Sequence, residues 1–243
     1  MYTYYDKDFK DYYYKYLNYN SSENIICSED RETLINVFYY PVIVSLFNDK
    51  IIYSINSKYF REIKENIQKE NLKNKEDIIN FLNNFFKIKN KKVSIQEMFR
   101  MTKNEKFNID ISKVLNIDEK NKKEYFNSFE YCHDLEYKEM KWKKVKNYKY
   151  LNGIIEDNQF VSVGFVSNID YNGANIVIQT KEKYKNNGYG KSIVEKISRD
   201  LLKDNIIPIY WVNVNNKSSI KLAENIKFEK KVTEIVVKIE DSM

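Results

Sequence analysis

All five glycines of this 243-residue chain lie after residue 150, and the whole chain contains only two prolines. Glycine adopts positive φ angles and permits close backbone contacts more readily than any other residue. The distribution therefore predicts that tight turns and close backbone packing are concentrated in the C-terminal part of the chain.

The glycine-free N-terminal part has the pattern of helices around one hairpin. Two apolar runs at 42–47 and 51–55 flank a short polar turn, which is typical of a β-hairpin. Residues 4–19, 58–70 and 75–87 are predicted to form helices. The last of these has apolar side chains at helical spacing, which indicates a core face rather than a ligand site.

A polar, interrupted stretch follows, so a domain boundary is expected between residues 92 and 130. We expect a smaller helical and β-hairpin domain at 1–124 and a second domain at 125–243, which together make an α+β protein. The expected elements of the second domain are strands at 150–156, 160–166 and 174–180, a helix at about 188–204, a strand at 209–214, a short helix at 216–225 and a last strand at 228–239.

The composition is that of a globular chain, because 42% of the residues are apolar and 31% are charged. No stretch approaches the ~20 apolar residues of a membrane helix. The N-terminus lacks the charged and apolar segments of a signal peptide. We therefore expect a cytoplasmic protein with no membrane partner.

The cysteine and histidine content argues against a metal centre or a disulfide framework. Cys27 and Cys132 are far apart in the sequence, and His133 is the single histidine, so the ligands of a zinc site are lacking. Adjacent side chains on a strand point to opposite faces, so we interpret Cys132 and His133 as structural. No metal is expected.

The net charge of +6 raises the question of nucleic-acid binding. The positive residues are spread along the chain and nearly all are Lys, whereas Arg is the better base-reading residue. The abundance of Lys, Asn, Ile and Tyr, all with A- and T-rich codons, is explained by base composition alone. These features argue against a nucleic-acid partner.

The segment 180–192 places two glycines, Gly188 and Gly190, between a predicted strand and a predicted helix. Backbone N–H groups at such a helix start can approach an anion, and the helix dipole favours negative charge there. Lys183, Lys185 and Lys191 add positive charge. The segment is either a phosphate-binding loop or an ordinary strand-to-helix turn.

A P-loop is one phosphate-binding alternative, because Gly190-Lys191-Ser192 matches the end of that motif. The motif needs a glycine at position 185, which is Lys185 here. The preceding strand also ends a hairpin meander rather than a parallel βαβ unit, so we reject this interpretation.

The segment from Lys185 to Gly190 resembles instead the Arg/Gln-x-x-Gly-x-Gly/Ala loop of the GNAT acetyltransferase family, with Lys in first place. The segment from Asn216 to Phe228 resembles the downstream motif of that family, Asn-x-x-Ser/Ala-x-x-Leu-(Tyr or Ala)-x-x-x-Gly-Phe. The resemblance covers about residues 125–243. The long N-terminal extension is similar to a bacterial subgroup that includes zwittermicin resistance proteins.

The resemblance implies a mixed sheet with flanking helices, in which two splayed central strands bind acetyl-CoA. Pantetheine would lie along 178–180, the pyrophosphate would bind the amides of 185–190, and Asn216 and Ser219 would face the cofactor. The implied cofactor-binding residues are Ile178, Gln179, Thr180, Lys185, Asn186, Asn187, Gly188, Tyr189, Gly190, Lys191, Ser192, Asn216 and Ser219.

The proton-handling positions depart from the family pattern. The strand before the loop offers Asn175, Val177 and Gln179 instead of a carboxylate base, and Ala223 replaces the usual Tyr acid. Lys227 replaces the Gly of the closing Gly-Phe pair. A bound water would then act as the base, or else a turn carboxylate, Glu156 or Asp170.

The resemblance implies acetyl transfer from acetyl-CoA to the amine of a small molecule, without a metal. The departures leave a second function open, a non-catalytic acyl-CoA-binding sensor or regulatory module. A basic nucleic-acid-binding protein is the third alternative.

Overall fold

The computed structural model describes residues 4–20, 22–29, 40–70, 72, 74–129 and 134–239. The Cys132–His133 pair lies outside these residues. The chain forms two compact units. The first comprises Met1–Arg100, Val212–Asn215 and Lys230–Met243, and the second comprises Met101–Trp211 and Asn216–Glu229. The domain boundary at 124/125 stays a prediction, because compactness does not measure which segments fold independently.

The elements in chain order alternate between helices and strands in both units. Those up to residue 102 are α1 Tyr4–Leu17, β1 Ile25–Cys27, β2 Val42–Phe47, β3 Lys50–Ile55, α2 Ser57–Glu70, α3 Lys75–Ile88 and β4 Val93–Thr102. Those that follow are β5 Leu115–Asn116, α4 Lys122–Asn127, α5 Leu135–Val145, β6 Lys149–Glu156, β7 Gln159–Asp170, β8 Gly173–Thr180, α6 Tyr189–Lys203, β9 Ile207–Asn213, α7 Lys217–Asn225 and β10 Glu229–Ile239.

The first unit has a mixed sheet with the strand order β1-β3-β2-β10-β4. β1 runs parallel to β3, whereas β2 is antiparallel to both β3 and β10. Helices α2 and α3 pack on this sheet through one apolar cluster, to which α3 contributes Ile78, Phe81, Leu82, Phe85 and Phe86. Their i, i+3, i+4 spacing is the predicted stripe, and it is confirmed as core.

The second unit has a mixed sheet with the order β9-β8-β7-β6-β5. β8 and β9 are parallel, and the other neighbours are antiparallel. Helix α6 lies on β7 at Gly164, where a Cβ atom would come within 2.6 Å of Ile193 Cγ2. Val163 and Phe165 point to the opposite face and pack on the cluster around Trp142. The α+β class, with mixed sheets flanked by helices, is as expected.

The turns correct the expectation drawn from the glycines. Three hairpins close with two-residue turns in which both residues have positive φ: Asn48-Asp49, Asp157-Asn158 and Tyr171-Asn172. Asn and Asp tolerate this conformation better than most side chains. Tight turns are therefore present in both parts of the chain, and the Asn172-Gly173 turn is shifted by one residue, with Gly173 already in β8.

The lengths of the helices bear on the membrane question. Among the described residues, no helix combines the length and the apolar character that crossing a bilayer would require.

Candidate functional site

Strands β8 and β9 separate partway along their length. They pair only at Gly173–Ile207, Ala174–Pro208 and Asn175–Ile209, although β8 continues to Thr180 and β9 continues beyond residue 209. Beyond Asn175, the edge of β8 therefore carries backbone N–H and C=O groups that the β9 ladder leaves unused. The splayed pair expected from the sequence is confirmed.

A cleft of about 750 Å³ lies in the second unit between the end of β8, the following loop and helix α7. Its lining residues are Ile178, Gln179, Thr180, Lys181, Glu182, Tyr184, Lys185, Asn186, Gly188, Tyr189, Gly190, Lys191, Asn216, Ser218, Ser219, Lys221, Leu222 and Asn225. The two motifs found in the sequence thus meet at one cleft.

A second cleft of about 540 Å³ adjoins the start of α6. Asn187 and Ser192 line this second cleft and not the first, so the structure places eleven of the thirteen sequence-predicted residues around the larger cleft. Gly188, Tyr189 and Lys191 line both.

The loop between β8 and α6 contains two residues in the left-handed region, Asn186 (φ 67°) and Gly188 (φ 83°). Gly188 occupies the N-cap position of α6 without a side-chain cap, and the first helical bond runs from Ser192 N–H to its carbonyl at 3.1 Å. The amides of the first helical turn therefore have no acceptor within the helix. Their partial positive charge favours an anion at this point of the cleft.

The two loop glycines serve different steric purposes. A Cβ at Gly188 would meet nothing within 4 Å, so the positive φ is the reason for glycine there. At Gly190 a Cβ would lie 2.9 Å from Leu222 Cδ1 and 3.4 Å from Thr180 Oγ1. Gly190 therefore allows the first turn of α6 to lie directly against α7 and the end of β8.

Helix α7 begins with a side-chain cap. Asn216 Oδ1 accepts hydrogen bonds from the Ser219 amide at 3.1 Å and from the Ser218 hydroxyl at 3.0 Å. Ser219 Oγ shares a 2.6 Å hydrogen bond with the hydroxyl of Tyr210, whose pKa is raised by burial. The side chains of Asn216 and Ser219 thus hold the cleft wall in place from within the protein.

Helix α7 ends in a Schellman motif. The amides of Phe228 and Lys227 donate to the carbonyls of Ala223 and Glu224, each at 3.0 Å. Lys227 has φ 69°, the left-handed conformation for which the family pattern has glycine. The departure noted in the sequence therefore changes the residue and keeps the backbone geometry.

The candidate turn carboxylates do not line the larger cleft. Glu156 Oε1 accepts hydrogen bonds from Lys113 Nζ at 3.0 Å and from the Tyr189 hydroxyl at 2.9 Å. The hydrogen bond from Lys113, followed by that from Tyr189, holds the pKa of Glu156 below its usual value. Asp170 accepts from the Asn168 side chain at the end of the β7–β8 hairpin.

The three β8 residues in question, Asn175, Val177 and Gln179, lie on the sheet face opposite α6, since Val177 and Gln179 pair with Phe165 and Val163. Asn175 Nδ2 donates to Ser167 Oγ at 3.0 Å. None of the three carries a carboxylate, so this face of β8 supplies no ionisable base.

Sequence reasoning missed seven side chains of the larger cleft, four of them on α7. The missed residues are Lys181, Glu182, Tyr184, Ser218, Lys221, Leu222 and Asn225. The α7 set has the i, i+3, i+4, i+7 spacing of one helix face, which is a signal visible in the sequence once Asn216 is taken as the cap. Within the described ranges, no group of three or more His, Cys, Asp or Glu side chains could hold a metal ion.

Residues 155–237 match the model of the FR47-like protein family, which is about a third of the chain. Among curated proteins, none matches the sequence significantly.

Solved structures with a similar course of the chain include three acetyltransferases of the GNAT type. A putative acetyltransferase of the GNAT family from Novosphingobium aromaticivorans is 13% identical, with a TM-score of 0.48 over 62% of this chain and 68% of its own. A GNAT-family acetyltransferase from Colwellia psychrerythraea is 10% identical, with a TM-score of 0.48 over 62% of this chain and 57% of its own. A GCN5-related N-acetyltransferase from Sphaerobacter thermophilus is 7% identical, with a TM-score of 0.49 over 82% and 76%.

Proposed function

We propose that this protein is an N-acetyltransferase that moves an acetyl group from acetyl-CoA to the amine of a small molecule. The observation that carries the proposal is the larger cleft, where an unpaired strand edge, uncapped helix amides and a capped helix meet. The family-model match spans all three of these features, which supports the same conclusion.

The cleft has the chemistry that a coenzyme A thioester requires. The edge of β8 beyond Asn175 offers backbone groups of 178–180 for the amides of the pantetheine arm. The loop from Lys185 to Gly190 and the first turn of α6 offer amides for a pyrophosphate. Four lysines and one carboxylate line the cleft, so its walls carry an excess of positive charge that matches a polyanionic ligand.

When bound, acetyl-CoA would supply an activated thioester, and the amine nitrogen would attack its carbonyl carbon while the C–S bond breaks and the thiolate leaves. The protein's share of this reaction is positioning: β8 and the loop hold the donor so that the acetyl group faces the acceptor. Because Asn175, Val177 and Gln179 cannot take the amine proton, a water molecule accepts it.

A specific observation favours the second candidate, a non-catalytic acyl-CoA-binding sensor. Ala223 stands where the family pattern often has a tyrosine acid, and β8 offers no base, whereas the loop is intact. Both candidates bind acetyl-CoA, and only the enzyme releases free thiol from it when amines are added. The zwittermicin-resistance subgroup and a cytoplasmic location stay predictions.

The first test is ligand-induced stabilisation. Coenzyme A at about 100 times its dissociation constant should stabilise the fold by about 2.7 kcal/mol, since it binds the native state alone. The measurement is the melting temperature with and without ligand, followed by thiol release with a panel of amines. A melting temperature unchanged at millimolar ligand would contradict both candidates.

A loop variant locates the site. Gly188→Val places a branched side chain at a positive φ and in the open space of the cleft, so it should abolish the ligand-induced shift. Asn205→Val is the matched control, because it strains another positive-φ residue (φ 58°) that lines neither cleft. Gly190→Val is a poorer probe because its side chain would collide with Leu222 even without ligand.

A further inference from the structure

One whole face of helix α7 lies along the larger cleft. Ser218, Lys221, Leu222 and Asn225 line it, at the spacing i, i+3, i+4 and i+7. With a rise of 1.5 Å per residue, this face extends for about 10 Å. It is polar except at Leu222, so it is suited to a hydrophilic part of a ligand.

Leu222 fixes where this face stands relative to the proposed pyrophosphate site. Its Cδ1 is the nearest atom, at 2.9 Å, to the position of a Cβ on Gly190 in the first turn of α6. Lys221 and Asn225, which neighbour Leu222 on the helix surface, therefore lie beside the uncapped amides of α6.

The lysines of the cleft differ in how far they are neutralised. Lys185 forms an ion pair with Glu182, and Lys181 donates to Gln159. Lys221 is exposed and has no ion pair or hydrogen bond within the described part of the chain. Its charge is therefore available to an anion at the α7 wall.

We propose, on the basis of the proposed function, that Lys221 and Asn225 bind the 3′-phosphate on the ribose of coenzyme A. Coenzyme A carries this phosphate only a few bonds from its pyrophosphate, so a pyrophosphate at the α6 amides brings it close to the adjoining helix. A separate dianion needs its own donors, and a Lys ammonium beside an Asn amide supplies charge and hydrogen bonds. The α7 face then selects coenzyme A over its 3′-dephospho form.

The test compares the dissociation constants of coenzyme A and 3′-dephospho-coenzyme A by titration calorimetry. The parent protein should bind the dephospho form about tenfold more weakly, as expected for the loss of one charge-assisted contact. Lys221→Gln should weaken the binding of coenzyme A to the level of the dephospho form and leave the dephospho form unaffected. The ratio of the two constants should then fall to about one.

Two lysine variants serve as controls. Lys217→Gln removes the same charge from the same helix, at an exposed residue that does not line the cleft, and should keep the ratio of the parent. Lys191→Gln removes a charge from the first turn of α6, beside the pyrophosphate. It should weaken both ligands equally and also keep the ratio.

The proposal is overturned if the parent binds both ligands equally, if Lys191→Gln rather than Lys221→Gln removes the preference, or if Lys217→Gln acts as strongly as Lys221→Gln. Equal and tight binding of both ligands would leave the acetyl-CoA site standing and remove only the role of the α7 face. A parent protein that binds neither ligand would overturn the proposed function and this inference together.

Discussion

At the scale of single residues, Lys227 combines an unfavourable side chain with a required backbone conformation. A left-handed φ costs a non-glycine residue about 1–2 kcal/mol, partly offset by the larger chain entropy of glycine in the unfolded state. Lys227→Gly should therefore stabilise the fold by up to about 1 kcal/mol, measured by urea unfolding. Lys227→Ala removes the same charge and keeps the Cβ, so it should give no such gain. An equal gain from both variants would show that the charge of Lys227, and not its φ of 69°, is the unfavourable feature.

At the scale of elements, the contact between α6 and β7 depends on the absence of a side chain at Gly164. A Cβ there would come within 2.6 Å of Ile193 Cγ2 and 3.2 Å of the Val177 carbonyl oxygen, and only the first of these can move easily. Gly164→Ala should lower the free energy of unfolding by about 1–3 kcal/mol through overpacking. Ile193→Ala removes the atom in conflict, so the double variant should be less destabilised than the sum of the single ones. Strict additivity in the unfolding free energies would rule out this contact as the cause.

The elements also show what the sequence could and could not reveal. β6 to β8, α6, β9 and α7 were predicted within a few residues, because each has a local apolar period and a local turn signal. β4 was missed, since its Arg100 reads as a surface residue. Arg100 is in fact buried against Glu234, 134 residues away, with a 2.8 Å hydrogen bond. The site follows the same rule: the loop and the cap of α7 are local motifs, whereas the contact between Leu222 and the first turn of α6 arises only on folding.

At the scale of the whole molecule, the open question is how an acetyltransferase would handle the proton of its acceptor. The three β8 side chains cannot ionise near neutrality, and Glu156 is hydrogen-bonded to Lys113 and Tyr189 outside the larger cleft. Because its pKa is held below the usual value, Glu156 is already ionised at every pH of interest. No protein group identified in the cleft would therefore titrate as a base between about pH 6 and 9, and the protonation state of the amine itself should control the rate.

The profile of kcat/KM against pH should accordingly follow the acceptor. The rate should rise with pH until the amine is neutral, so two amines whose pKa values differ by about two units should have midpoints about two units apart. Glu156→Gln should leave both profiles unchanged in shape, because the native carboxylate does not change its charge in this range. A protein base would instead impose a limb at the same pH with both amines, often at ~6–7. Such a shared limb would refute the assignment of the proton to water, and its loss in Glu156→Gln or Asp170→Asn would identify the carboxylate that accepts it.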